Sequence, residues 1–89
     1  MSFQSVMRAL ADPSRREILN LLKRNAMTAT HIGEHFSMSA PAVSKHLGIL
    51  KDADLVRCRK EGKYMIYELN ASVLEEVLLW IQDIKEGTK

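Results

Sequence analysis

The sequence predicts a mostly α-helical domain of the α+β class, with four helices, a small β-hairpin and a final helix. Two pairs of a capping residue and a proline mark helix starts, because Asp12 precedes Pro13 and Ser39 stands two residues before Pro41. After Val56 the apolar period changes from helical to alternating, which is typical of strands. With 89 residues, the chain is expected to form one domain over 1–89.

The first three helices are predicted from their apolar spacing and their caps. They are expected over Phe3–Leu10, from Pro13 to about Lys23, and over Ala29–Phe36. Each follows a side chain that can accept a hydrogen bond from a free N–H group of the first turn: Ser2, Asp12 and Thr28.

The fourth helix has an exposed face that packing alone does not explain. It is predicted over Ala40–Asp52, after a turn at Ser37 and Met38. An apolar stripe on this helix is formed by Val43, Leu47 and Leu50. The opposite face contains no acidic residue and consists of Pro41, Ser44, Lys45 and Gly48. A small, polar and cationic face of this kind suits close approach to a polyanion such as DNA.

Two alternating runs around Glu61-Gly62 predict the hairpin, in which Gly62 supplies the positive φ of a tight turn. The last helix is expected to start after Asn70 or Ser72 and to end near Lys85. The spacing of Ser72 and Glu75 fits a capping box.

This order of elements predicts a winged helix-turn-helix, in which helices three and four form the helix-turn-helix and the hairpin forms the wing. In that arrangement the second helix of the motif enters the major groove. Residues 39–63 contain six Lys or Arg and three Asp or Glu, a local charge of +3 that is typical of a nucleic-acid surface. A solvated surface with ordinary charge scatter is the alternative. The predicted DNA-contacting residues are Ser39, Pro41, Ala42, Ser44, Lys45, His46, Lys51, Arg59, Lys60 and Lys63.

The final helix has a wider apolar arc than docking onto one small domain requires. A second copy of the chain would bury the excess, and a two-fold dimer would present two reading helices to a pseudo-palindromic site. The alternative is a broad core helix in a monomer. The predicted dimer interface consists of Phe3, Val6, Met7, Leu10, Val73, Val77, Trp80, Ile81 and Ile84.

Three segments resemble the ArsR/SmtB family of bacterial winged-helix repressors. They are residues 9–19 (ALADPSRREIL), residues 39–51 (SAPAVSKHLGILK), and the wing-like residues 59–69 (RKEGKYMIYEL) that follow Leu55-Val56. The resemblance implies a homodimer, formed through its first and last helices, that represses by occupying a promoter operator, often its own. A cytoplasmic location is expected separately, because the sequence has no run of 18 or more apolar residues and no signal-peptide pattern.

The chain departs from the metal sensors of that family. It has no Cys-x-Cys motif in the third helix and no histidine in the last helix, and its one cysteine, Cys58, excludes the two-thiol redox version. It therefore looks closest to the metal-site-lacking branch that includes SdpR-type autorepressors. That likeness implies inactivation by a protein partner at a membrane, with no metal, cofactor or small-molecule substrate.

Three other functions stay open at this point. His31, Glu34 and His35 match an H-x-x-E-H zinc-peptidase signature, but no third ligand or cleft is evident, so an enzyme is not expected. The same residues, or Cys58 on the apolar side of its strand, offer a metal- or redox-responsive sensor. A winged-helix module that binds proteins is the remaining alternative.

Overall fold

The structure, a computed structural model, describes residues 2–87. Met1, Thr88 and Lys89 of the single domain predicted over 1–89 lie outside the described residues. The elements are α1 (Phe3–Leu10), α2 (Pro13–Leu22), β1 (Met27–Thr28), α3 (Ala29–His35), α4 (Ala40–Asp52), β2 (Val56–Glu61), β3 (Tyr64–Leu69) and α5 (Ala71–Gly87). Apart from β1, this is the predicted order, and it is the order of a winged helix-turn-helix.

Four helices begin at the predicted caps, which confirms the sequence signals. In each case the side-chain oxygen accepts a hydrogen bond from the backbone N–H group three residues later, at 3.0–3.3 Å. The four capping residues are Ser2, Asp12, Thr28 and Ser39.

The start of α5 differs from one of the two predictions. Asn70 Oδ1 accepts a hydrogen bond from the backbone N–H group of Ser72 at 3.4 Å, so Asn70 is the cap. Ser72 lies inside the helix, and the predicted capping box with Glu75 is therefore wrong. Asn70 is also fixed by its own side chain, because its Nδ2 donates to the carbonyl oxygen of Asp54 at 2.8 Å.

The sheet has one strand more than the predicted hairpin. Its order is β1-β3-β2, and all pairs are antiparallel. The short strand β1 pairs Met27 with Tyr67 and Thr28 with Ile66. In the hairpin, Glu61 pairs with Tyr64, and Gly62 adopts the positive φ of 63° that its position predicted. A strand of two residues shows no apolar period, and the prediction therefore missed it.

The core lies between the helices and the sheet and is apolar throughout the described residues. At the end of α4, the N–H group of Leu55 donates to Leu50 at 2.9 Å, and Asp54 adopts a φ of 60°. This is a Schellman motif, and it buries Leu50 and Leu55 while directing the chain into β2. No helix within residues 2–87 combines the length and the hydropathy needed to span a membrane.

Candidate nucleic-acid interface

The helix α4 turns its apolar stripe inward and its basic face outward. Val43, Leu47 and Leu50 are 0–2% exposed in the core. On the other side, the exposed residues form what we call the outer face of α4: Pro41, Ser44, Lys45 and Gly48. Of the other predicted contacts on or beside this helix, Ser39 and Lys51 are exposed and Ala42 is half-buried.

Two glycines in the helix-turn-helix meet different surroundings. A Cβ atom at Gly33 of α3 would lie 3.4 Å from Cγ2 of Val43, so Gly33 permits the close approach of α3 to α4. A Cβ atom at Gly48 would meet nothing within 4 Å. A glycine inside a helix costs about 0.5–1 kcal/mol relative to alanine. The packing of the subunit therefore gives no reason for a glycine at position 48.

His46, one of the predicted DNA contacts, also makes a contact within the subunit. Its ring is half-buried, and its Nδ1 is 3.4 Å from Nη1 of Arg15 at the start of α2. Because a guanidinium only donates, this contact is a hydrogen bond in the tautomer of His46 that leaves Nδ1 without a proton. The structure therefore assigns His46 a contact within the subunit that its exposed neighbours Ser44 and Lys45 lack.

Arg15 and Arg16 bind the end of α1 rather than the nearby carboxylates. Arg15 donates to the carbonyl oxygens of Ala9 and Arg8 at 2.8 and 3.0 Å, and Arg16 donates to that of Leu10 at 2.7 Å. The sequence carries no signal for this role, because every residue has a backbone carbonyl group and no residue type marks the ones at a helix end. Two cations at the negative end of the α1 dipole stabilise the corner between α1 and α2.

The wing carries four cations, but they are not equivalent. Arg59 Nη1 lies 2.6 Å from Oε2 of Glu61, and Arg59 Nε lies 3.6 Å from Oε2 of Glu68. Lys60 and Lys63 are exposed at the tip, where Lys63 Nζ lies 5.6 Å from the centroid of the Tyr64 ring. Arg57 is exposed further from the tip, on the same side of the hairpin as Glu68. Lys60 and Lys63 are therefore the wing cations best placed to meet an anion.

A second surface runs along α1 and α5. The rings of Phe3 and Trp80 meet edge to face, with centroids 4.9 Å apart, although each residue is still more than 40% exposed. Every residue of α5 from 78 to 87 is exposed, so this half of the helix extends beyond the core. It carries four large apolar side chains that are 47–54% exposed: Leu78, Trp80, Ile81 and Ile84.

Three residues of the predicted dimer interface belong to the core of the subunit. Val6, Val73 and Val77 are only 1–8% exposed, because they pack against the helices and the sheet of their own chain. The predicted interface is corrected to that extent, since these residues offer little area to a partner. Met7 and Leu10 are half-buried against the same core.

The residues singled out as possible sensors lie in two places, three of them on α3 and Cys58 on β2. His31, Glu34 and His35 are exposed on α3, and the two imidazole centroids lie 5.3 Å apart. Within residues 2–87, no three His, Cys, Asp or Glu side chains are grouped to hold a metal ion. Cys58 is half-buried on β2 opposite Tyr67. Burial and, secondarily, a hydrogen bond with Cys58 raise the pKa of the Tyr67 phenol.

The comparison with known proteins agrees with this geometry. The sequence profile of bacterial regulatory proteins of the arsR family matches residues 12–57, which covers α2 to the start of β2. The chain is 44% identical over 77 residues to the transcriptional repressor SdpR of Bacillus subtilis, covering 86% of each chain. It is 38% identical over 74 residues to the arsenical resistance operon repressor of Staphylococcus aureus, covering 83% of this chain and 71% of the relative.

Solved structures share the fold. An ArsR-like transcriptional regulator from Rhodococcus superposes with a TM-score of 0.87 at 30% identity, over 94% of this chain and 79% of the other. The homodimeric winged helix-turn-helix DNA-binding domain of an ArsR-type protein from Mycobacterium bovis superposes with a TM-score of 0.76 at 28% identity, over 97% and 81%. This chain therefore belongs to the ArsR family of bacterial regulatory proteins, as a DNA-binding transcriptional regulator and not an enzyme.

Proposed function

We propose that the chain is a sequence-specific repressor that binds an inverted-repeat operator as a homodimer. The observation that carries the proposal is the outer face of α4, which is exposed and carries the cation Lys45, while the exposed Asp52 lies one turn beyond Gly48 at the end of the helix. At its centre Gly48 leaves the backbone uncovered, so that a polyanion can approach it closely. The second turn of α4 presents Ser44 and Lys45 beside this glycine, and those side chains can hydrogen-bond to base edges or phosphates.

The exposed half of α5 supports the dimer. Four large apolar side chains that are about half exposed are costly to leave in water, and they form a patch with Phe3 of α1. A two-fold axis through this patch would repeat the outer face of α4 once in each subunit. Two such helices favour an operator with two half-sites about one helical turn apart. The homodimeric relative from Mycobacterium bovis is consistent with this assembly.

The experiment is selection of bound duplexes from a random pool, followed by affinity measurements over a range of salt concentrations. The proposal predicts an inverted repeat, a steep fall in affinity with salt and a large ratio of specific to non-specific binding. Sedimentation at micromolar concentration is expected to show a dimer. A monomer that retains no preferred sequence would instead favour the alternative of a protein-binding winged helix.

The finer parts of the proposal concern regulation. By its likeness to the autorepressor type, the chain would bind the promoter of its own operon in the bacterial cytoplasm and would be released by a protein at the membrane. A reporter driven by that promoter tests autoregulation, because deletion of the gene is expected to raise reporter output. Unchanged output in the deletion strain would argue against autoregulation while leaving operator binding intact.

A further inference from the structure

We propose that Arg15 and His46 form a positioning contact that sets the distance between the two DNA-reading helices of the dimer. The inference rests on the proposed function, because it concerns the spacing of two half-sites. It assigns His46 to the alignment of α4 rather than to the DNA backbone. It assigns Arg15 the role of connecting α4 to α1, which carries part of the dimer surface.

The contacts of Arg15 reach three helices. Its backbone N–H group is held by the Asp12 carboxylate at 3.0 Å, which fixes the residue in the first turn of α2. Its guanidinium donates to the carbonyl oxygens of Ala9 and Arg8 at the end of α1. The same guanidinium lies 3.4 Å from Nδ1 of His46 on α4. One planar, rigid group therefore relates the directions of α1 and α4.

These two helices belong to the two surfaces on which operator binding depends. At its other end, α1 contributes Phe3, which packs against Trp80 of α5 in the exposed apolar patch. In α4, His46 directly follows Ser44 and Lys45 of the outer face. A small rotation of α4 relative to α1 in each subunit is doubled by the two-fold axis. It would therefore change the separation of the two outer faces across the dimer.

The test measures spacing preference rather than affinity alone. Duplexes carry the selected inverted repeat with half-sites moved apart or together by one base pair, which changes their separation by about 3.4 Å and their relative rotation by about 35°. For the wild-type protein, a sharp optimum is expected. The variants are Arg15→Gln, His46→Gln, His46→Asn and the double variant Arg15→Gln/His46→Gln, with thermal stability recorded for each.

Two matched controls are included: His46→Asn from the set above and, in addition, Arg16→Gln. In His46→Asn the amide oxygen takes the place of Nδ1 as the acceptor, whereas in His46→Gln it lies one bond further out. Arg16→Gln removes a guanidinium that binds the same end of α1, through Leu10, but whose hydrogen bond does not reach α4. Should Arg15→Gln fail to fold, the two His46 variants still decide the question.

For the wild type, a change of one base pair in the spacing is expected to reduce affinity by a large factor. That factor should be at least about fivefold smaller in Arg15→Gln and in His46→Gln, which is the low end of the coupling found between distinct sites. Their effects should not add in the double variant, because the residues are in contact. His46→Asn and Arg16→Gln should keep the wild-type optimum. Equal loss of affinity at every spacing with a shallower salt dependence would make His46 a phosphate contact and overturn the proposal. A wild-type protein with no optimum would overturn the inverted-repeat operator itself, and this inference with it.

Discussion

Arg59 and Glu61 form a short ion pair on one strand of the wing, with Nη1 and Oε2 at 2.6 Å. Glu68 of the neighbouring strand approaches the same guanidinium at 3.6 Å. The hydrogen bond to Glu61 is the main cause that raises the pKa of Arg59 above its ordinary value. One of the four cations of the wing is therefore already paired with carboxylates of the wing itself in the free protein.

Replacing Glu61 by glutamine is expected to strengthen DNA binding. The change leaves Arg59 with the more distant Glu68 and frees it to meet a phosphate. Affinity for random DNA should rise, and the slope of log K against log salt should steepen by up to about 0.9, the value for one phosphate. Fluorescence anisotropy over a salt series measures both. The matched control is Glu76→Gln, which removes one exposed carboxylate from α5, and an equal effect there would mean that only net charge matters.

Ser44 and Lys45 are expected to carry sequence recognition. Alanine at either position should weaken operator binding by about 1–3 kcal/mol, because each would remove a contact from the first turns of the helix in the major groove. Affinity for the selected operator and for random DNA is measured side by side. Equal losses on both would identify the two residues as phosphate contacts that do not discriminate bases.

Gly48→Ala is expected to stabilise the protein and weaken its binding to DNA. Alanine should raise the free energy of unfolding by about 0.5–1 kcal/mol, since a Cβ atom meets nothing in the subunit. The same methyl group would stand between the helix backbone and the DNA. Urea unfolding and operator affinity are compared with those of Asn20→Ala, an exposed position of α2 that should stabilise without affecting binding. Unchanged affinity in Gly48→Ala would show that DNA does not approach this point.

The apolar patch of α5 can be tested with two substitutions on one helix. Ile81→Glu should convert the dimer to a monomer at micromolar concentration, because an unpaired carboxylate would be buried at the interface. Leu79→Glu is the control, since this residue is 65% exposed and lies about 160° around the helix from Ile81. Sedimentation velocity reports the oligomeric state. A dimer that survives Ile81→Glu but not Leu79→Glu would place the interface on the other side of α5.

Asp12 should make stability fall in acid. The hydrogen bond from the Arg15 backbone is the main cause that lowers the pKa of this carboxyl below 3.8. The contribution of the ionised Asp12 side chain to the free energy of unfolding is therefore present above about pH 4. It is lost as the pH falls through the lower pKa that this carboxyl has in the folded state. Asp12→Asn should have a lower Tm than the wild type at pH 7, and the difference should vanish at low pH. Ser2→Ala, at a cap that does not ionise, should show a difference that is independent of pH.

Much of the fold was predictable because local signals and tertiary structure agree. Asp12 with Pro13, and Ser39 with Pro41, mark helix starts by chemistry that needs no distant partner. Gly62 marks the hairpin turn for the same reason. The outer face of α4 was also predictable, since a buried stripe on one side of a helix fixes what the other side exposes.

The rest depends on contacts between residues far apart in sequence. The strand β1 forms because Met27 and Thr28 pair with the edge of β3. The identity of these two residues alone does not reveal that pairing. His46 has the chemistry of a phosphate contact, and its contact with Arg15, 31 residues away, is not visible in the sequence. The apolar arc of α5 is wider than the core of the subunit requires, as the sequence predicts. Helical spacing alone, however, does not distinguish Val77 in the core from Ile81 outside it.

The strand β1 has a practical consequence for protein engineering. Thr28 pairs with Ile66 of the wing and also caps α3, so one residue joins the wing to the helix-turn-helix. A chimaera that imports only the hairpin of a relative would bring a foreign edge against Met27 and Thr28 and would disturb the first turn of α3. Modules for exchanging operator preference should therefore be cut so that residues 27–69 move together, with their junctions in the turn before β1 and just after β3.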